Sequence, residues 1–157
     1  MKFILPLAVL TLIIKQTKDL NVIKRVLFDA HIYSTISDDE IEKEENFKLP
    51  VNDDYRYYAG YVNGDIIGLM IYHPYLDGEE CHVQVLVKYR KKYAKQFGEQ
   101  SLLMRDRTRP LYAEIPEFYT NVLNFAKLNG FKVIDTQLNN FTKQGKTYNT
   151  KVLLWDS

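Results

Sequence analysis

The chain has 157 residues, 46% of them hydrophobic and 26% charged, with a formal net charge of +1. That length suits a single domain over 1–157 with a buried core, and the near-neutral charge excludes a global pull towards nucleic acid or membrane. The single cysteine, Cys81, excludes an intrachain disulfide and fits a reducing, cytoplasmic setting.

Met1–Lys15 is a lysine followed by a mostly apolar run. It imitates the apolar region of a signal peptide, but no small-x-small site follows at Gln16-Thr17-Lys18-Asp19. It is also shorter than the roughly twenty apolar residues of a spanning helix, so a buried first strand is expected. Thr17 or Asp19 caps a helix running to about Ile32, with Leu20, Ile23, Leu27 and Ala30 on one face. Ser37-Asp38-Asp39-Glu40 offers a second cap with an acidic first turn, and hence a short helix. Glu42–Asp54, polar and interrupted by Pro50, reads as a loop.

Tyr55–Val62 and Asp65–Tyr75 read as the strands of a hairpin. Asn63-Gly64 between them suits a type I′ turn, whose central residues both need positive φ. Asp77-Gly78 starts another turn, and Cys81–Val87 forms a short strand. Cys81, Val83, Val85 and Val87 lie on one side of it and His82, Gln84 and Leu86 on the other. The helix after Arg90 carries Ala94, Phe97, Ser101 and Met104 at helical spacing. Leu111–Ile115 is again a strand. Pro116 fits the first turn of a helix that groups Phe118, Val122, Phe125 and Ala126 and ends at Gly130 in the left-handed region. Phe131–Gln137 and Lys151–Trp155 supply two closing strands with a polar loop between them.

The run Val87–Gln96 carries the most chemistry. A strand, a basic turn and a helix offer free N–H groups and a positive helix end to an anion, although the glycines that usually wrap a phosphate are missing. Lysines and Arg90 beside Tyr89 and Tyr93 also suit base stacking, but one such segment on a near-neutral chain is a weak nucleic-acid footprint. His82, with an ordinary pKa of about 6.5, suits a general base acting through water; Glu80, Gln84 and Glu114 are further candidates. His31, His73 and His82 show no recurring ligand spacing, so no metal site is expected. Cys81 and His82 point to opposite faces, which argues against a nucleophile pair. Tyr55, Tyr57, Tyr58 and Tyr61 occupy both faces of one strand, as cross-strand packing requires; an aromatic surface for a protein partner is the other reading. Asn140-Phe141-Thr142 fits a glycosylation pattern that carries no weight without secretion.

The order of elements resembles the GCN5-related N-acetyltransferase (GNAT) superfamily. His82-Val-Gln-Val-Leu-Val-Lys-Tyr-Arg90 running into a helix looks like that family's acyl-CoA segment. Leu111-Tyr-Ala-Glu-Ile-Pro116, followed by a helix ending in Asn129-Gly130-Phe131, looks like its next strand-helix unit. The match covers about residues 53–137. Ala-Glu-Ile-Pro and Phe-Ala-x-x-x-Gly-Phe are also similar in style to GNAT-type proteins of tailed phages, which implies host cytoplasm or virion as the location. The resemblance implies an α+β fold, with a mixed, mostly antiparallel sheet of six to seven strands flanked by about four helices.

It also implies acetyl-CoA as acyl donor, a primary amine as acceptor, and direct attack on the thioester. Backbone N–H groups of the Cys81–Val87 strand, Val85 and Val87 among them, would polarise the thioester carbonyl. Those of Arg90, Lys91, Lys92, Tyr93, Ala94 and Lys95 would hold the pyrophosphate. The family signature is Gln or Arg, two residues, Gly, one residue, then Gly or Ala; Arg90 matches it, while Tyr93 and Lys95 stand where small residues are usual. Ala126 occupies the place of the family's proton-donating tyrosine, with Tyr119 as the substitute, and the base falls to His82 or Glu114. The departures leave a second function open, a GNAT-fold structural or interaction protein without the chemistry. A nucleic-acid module rests on the basic turn alone.

Overall fold

The computed structural model describes residues 11–39 and 47–156. Its elements are β1 (Leu12–Thr17), α1 (Leu20–Leu27), α2 (Ala30–Ile36), β2 (Arg56–Val62), β3 (Asp65–Tyr75), β4 (Gly78–Val85), α3 (Val87–Leu102), β5 (Leu111–Pro116), α4 (Thr120–Leu128), β6 (Phe131–Lys143) and β7 (Lys146–Trp155). The strands form one sheet in the order β1-β2-β3-β4-β5-β7-β6. Among the described residues every neighbouring pair is antiparallel except β4–β5, which is parallel. This is the α+β architecture expected, with seven strands and four helices.

Asn63 (φ 51°) and Gly64 (φ 81°) close the β2–β3 hairpin with both central residues at positive φ, as the type I′ reading requires. Alternation along the strands then divides two cores between the sheet faces. Tyr57, Ala59, Leu69 and Ile71 join Ile23, Val26, Leu27 and Ile32 under α1 and α2. Tyr58, Met70, Tyr72, Cys81 and Val85 join Phe97, Leu123 and Ala126 under α3 and α4. Helices cover both faces of β2 and β3, so these strands are apolar on both sides. The tyrosines of β2 therefore go inward: Tyr57 and Tyr58 are buried in opposite cores, and Tyr61 packs on the first of them. Core packing, rather than a partner surface, accounts for that run.

Gly60 and Gly68 stand opposite each other on β2 and β3, and Phe97 of α3 lies on them. A Cβ on Gly60 would come within 2.6 Å of the Phe97 ring, and one on Gly68 within 2.6 Å of the Gln84 carbonyl. The glycine pair lets α3 sit directly on the backbone of the sheet.

Several boundaries differ from the sequence reading. The expected helix to Ile32 is two helices, because Asp29 accepts hydrogen bonds from the N–H groups of His31 and Ile32 and starts α2 afresh. Ser37 is the extended C-cap of α2, and the short helix expected after it falls on Glu40 and the rest of 40–46, which lie outside the described residues, as does the apolar run 1–10. Pro116 ends β5, pairing with Thr150, and α4 begins only at Thr120; α4 buries Leu123 and Ala126 while Val122 stays exposed. The expected polar loop between the last strands is a long hairpin. Gln144 (φ 52°) and Gly145 (φ 75°) turn it, and Asn139 (φ 53°) falls where its register shifts. Polar residues hide this strand because β6 is an edge strand whose residues are largely exposed.

Candidate functional site

The site begins where the sheet opens. β4 and β5 pair only at Glu79–Leu111 and Glu80–Tyr112. The Leu86 N–H donates to the Ile67 carbonyl of β3, and Glu79 N–H donates the other way, to Pro110 ahead of β5. Hydrogen bonding alternates in direction along a strand, so the N–H and C=O groups of Val83 and Val85 face the β5 side. Past Glu80 no ladder pair among the described residues takes them up, which leaves a short open backbone edge at the mouth between β4 and β5.

That edge runs straight into α3, which begins at Val87 rather than after Arg90. Leu86 occupies the cap position and supplies no side-chain cap. Tyr89 N–H bonds back to Leu86, while those of Val87 and Lys88 have no preceding turn to reach. The positive helix end is thus about one turn earlier than the sequence suggests. Arg90 sits one turn in, and its Nε donates to the Val85 carbonyl at 2.8 Å, with Nη1 3.3 Å from His31 Nε2. Lys91, Lys92 and Lys95 are exposed on α3, Ala94 is half-buried against the core, and Tyr93 is buried within it. The Tyr93 ring consequently does not fill the turn. A cavity of about 540 Å³ lies beside the helix start, bordered by Arg25, His31, Val87 and Lys88, with Asp29 and Asp65 also at its edge.

On the α1/α2 face the even-numbered residues of β4 meet β3 and β5. His73 Nε2 and His82 Nε2 are 2.9 Å apart with their rings stacked, and Glu80 Oε1 is 3.2 Å from His82 Nε2. His73 Nδ1 is 3.0 Å from the Pro74 carbonyl, an oxygen that only accepts, so Nδ1 carries a hydrogen. His73 Nε2 then faces His82 Nε2, and a single hydrogen lies between the two rings. Burial, and then the Glu114 carboxylate, push Glu80 up to about 8. Crowding by protein, and then His73, hold His82 down to about 4, although 41% of its side chain remains open to solvent. The two groups meet neutral at pH 7, so their contact is a hydrogen bond and not an ion pair.

Glu114 of β5 accepts from the Tyr75 hydroxyl and, at 3.1 Å, from Gln137 Nε2. The structure therefore groups His82, Glu80 and Glu114, three of the sequence candidates, and adds His73, Tyr75 and Gln137, which sequence reasoning missed. No local signal pointed to His73: it stands directly opposite Glu80 because the turn falls at Leu76-Asp77, one residue before the Asp77-Gly78 turn that the sequence suggests. Cys81 faces the other core, where burial pushes its thiol up to about 12, so it is no nucleophile.

Tyr119 lies apart from this group, at the start of α4. Its hydroxyl donates to the Thr35 carbonyl at 2.6 Å, and burial raises its pKa. With Ser34, Phe118, Lys143 and Tyr148 it borders a cavity of about 220 Å³. Lys143 closes one side, donating to the carbonyls of Ser34 and Ser37 at the end of α2.

No family model matches the chain, and no curated protein sequence does. Solved structures do. A variant of the spermidine N-acetyltransferase of Vibrio cholerae superimposes with a TM-score of 0.71 at 15% identity, over 91% of this chain and 92% of that one. The ribosomal-protein-alanine N-acetyltransferase of Brucella melitensis gives 0.71 at 15% identity, over 90% and 98%. An acetyltransferase of the GNAT family from Streptococcus pneumoniae gives 0.70 at 13%, over 92% and 98%. The chain has the GNAT fold. These structures come from bacteria and lend the phage-like style no support.

Proposed function

We propose that the chain is a single-domain N-acyltransferase that moves an acetyl group from acetyl-CoA to a primary amine. The observation that carries this reading is the open β4 edge. Among the described residues no ladder pair takes up Val83 or the Val85 N–H on the β5 side, the Val85 carbonyl being held by Arg90, and two residues later the uncapped start of α3 presents the N–H groups of Val87 and Lys88. An elongated ligand with amide groups at one end and phosphates at the other fits that series of donors and acceptors.

Acetyl-CoA would supply the activated acyl group. Val85 would bind along its edge and polarise the carbonyl, with Val83 beside it. Val87 and Lys88 would hold phosphate, helped by the exposed Lys91, Lys92 and Lys95 as mobile charges. Arg90 would fix the end of β4 through the Val85 carbonyl, and Tyr93 and Ala94 would anchor the helix beneath. His82, neutral and partly open to solvent, is the proton acceptor for the amine, with His73 Nε2 next in line. Glu114 would attract the cationic acceptor, and Tyr119 would provide a proton from its hydroxyl to the departing thiolate. Two of the bacterial proteins that superimpose on the chain are a spermidine and a ribosomal-protein-alanine N-acetyltransferase, which supports an amine acceptor. No helix among the described residues is long and apolar enough to cross a membrane, and a cytoplasmic supply of acetyl-CoA is the setting this reading needs.

Calorimetry and thermal melting with acetyl-CoA test the reading directly. Ligand at about a hundred times its dissociation constant should stabilise the fold by about 2.7 kcal/mol, and an amine panel should then release free thiol. Absence of any shift at millimolar acetyl-CoA would overturn the proposal.

A further inference from the structure

Glu80 and His82 are two residues apart on β4 and so share a face, and His73 stands directly across from Glu80 on β3. Their three ligand atoms lie within 4.8 Å of one another. The separations are 2.9 Å between the two Nε2 atoms, 3.2 Å from His82 Nε2 to Glu80 Oε1, and 3.8 Å from His73 Nε2 to Glu80 Oε2. Ligands about 2.0–2.2 Å from a tetrahedral ion are about 3.3 Å from each other, and these values straddle that spacing.

The support around the trio is what a metal-binding histidine needs. His73 donates from Nδ1 to the Pro74 carbonyl, which turns its Nε2 lone pair towards the other two ligands. Its ring is held between Tyr55, with centroids 4.9 Å apart, and His82, 5.1 Å apart. Glu80 is almost fully buried, whereas His82 keeps one side open as an entry path. Two imidazoles and a carboxylate are a donor set for zinc and similar borderline ions.

We propose that His73, Glu80 and His82 bind one zinc-type divalent cation, leaving a fourth position for water or a substrate atom. The sequence gives no such hint, because the three ligands come together only through the β3–β4 register. Binding would release the hydrogen shared between the two Nε2 atoms to solvent and take both nitrogens out of proton transfer, so zinc should suppress acetyl transfer; this consequence alone rests on the acyltransferase reading.

The metal site is tested without acetyl-CoA, on the full chain stripped by chelator and titrated with zinc chloride in a calorimeter. One zinc per chain is expected, with His73→Gln and Glu80→Gln each weakening binding at least tenfold and His31→Gln leaving it unchanged. Equal affinity in the wild type and His73→Gln, or equal loss in His31→Gln, would overturn the site. Circular dichroism checks each variant, and His82→Gln replaces Glu80→Gln if that one fails to fold. Cobalt(II) gives an independent readout: a tetrahedral visible spectrum lost in His73→Gln supports the trio, and an octahedral one overturns it. Zinc bound by a chain that ignores acetyl-CoA would leave this site standing and remove only the catalytic reading.

Discussion

Glu79 and Glu80 are adjacent on β4, both buried, and point to opposite faces of the sheet. Glu79 lies among three guanidinium groups: Arg56 at 2.5 Å, Arg105 at 3.4 Å and Arg109 at 3.4 Å. Burial alone would push its pKa up, but the Arg56 hydrogen bond and the charges of all three arginines outweigh it and hold Glu79 low. Glu80 has no guanidinium or ammonium partner among the described residues and is pushed up to about 8. The same residue type, at the same depth, is a fixed charge on one face and a titrating group on the other. Compensation, not burial, separates the fixed carboxylate from the titrating one.

The contrast breaks most visibly at Glu79. Glu79→Ala strips the partner from Arg105, whose side chain is only 1% exposed, and should cost about 3–5 kcal/mol in urea unfolding; a cost under 1 kcal/mol would mean the three arginines find water instead. His82→Ala should lower thiol release about 100-fold, about 2.7 kcal/mol of barrier, with melting little changed. An equal fall in melting temperature would assign His82 to the fold rather than the chemistry.

Glu80→Gln sharpens the comparison through pH, in the presence of chelator. Glu80 titrates at about 8 when folded against an ordinary 4.5, so between these values the folded chain holds the extra proton and stability falls as pH rises. His82, lowered to about 4 from 6.5, makes the unfolded chain the better proton binder and raises stability between pH 4 and 6.5. The two oppose each other below 6.5, leaving a net decline from 6.5 to 8 of about 1 kcal/mol per pH unit. In Glu80→Gln that decline should vanish. Its persistence would place the titration on another group. The smallest effect belongs to Lys95→Ala: its contact with Glu99 is 3.9 Å with 86% exposure, and stability should stay within about 0.5 kcal/mol.

How much of this was legible in the sequence follows from the range of the interactions. Asn63-Gly64 states its own turn, and Gly130 (φ 98°) ends α4 as expected. The apolar alternation of β2 to β4 places both cores. The break at Asp29 was not legible, because the apolar spacing continues through it and only the Asp29 hydrogen bonds reveal a new cap. The start of α3 was misplaced because Leu86 gives no capping side chain to read. For the candidate site, His82 and Glu114 could be named from the resemblance. The His73–Glu80–His82 group could not, since it depends on a two-residue turn in which Leu76, a poor candidate for the role, takes φ 47°.

Asp39 accepts from the N–H groups of Gln144 and Gly145 at 2.7 and 3.0 Å, joining the end of α2 to the tip of the β6–β7 hairpin. The partners are 105 and 106 residues apart in the chain. Closing a loop that long costs about 4 kcal/mol of chain entropy on a simple logarithmic scale, whereas the hairpin itself is local. This clasp is therefore a late arrival in folding and an early departure in partial unfolding. Amide exchange at Gln144 and Gly145 should outpace that in β3, and the cavity beside Tyr119 would be the first region of the molecule to lose its shape on warming.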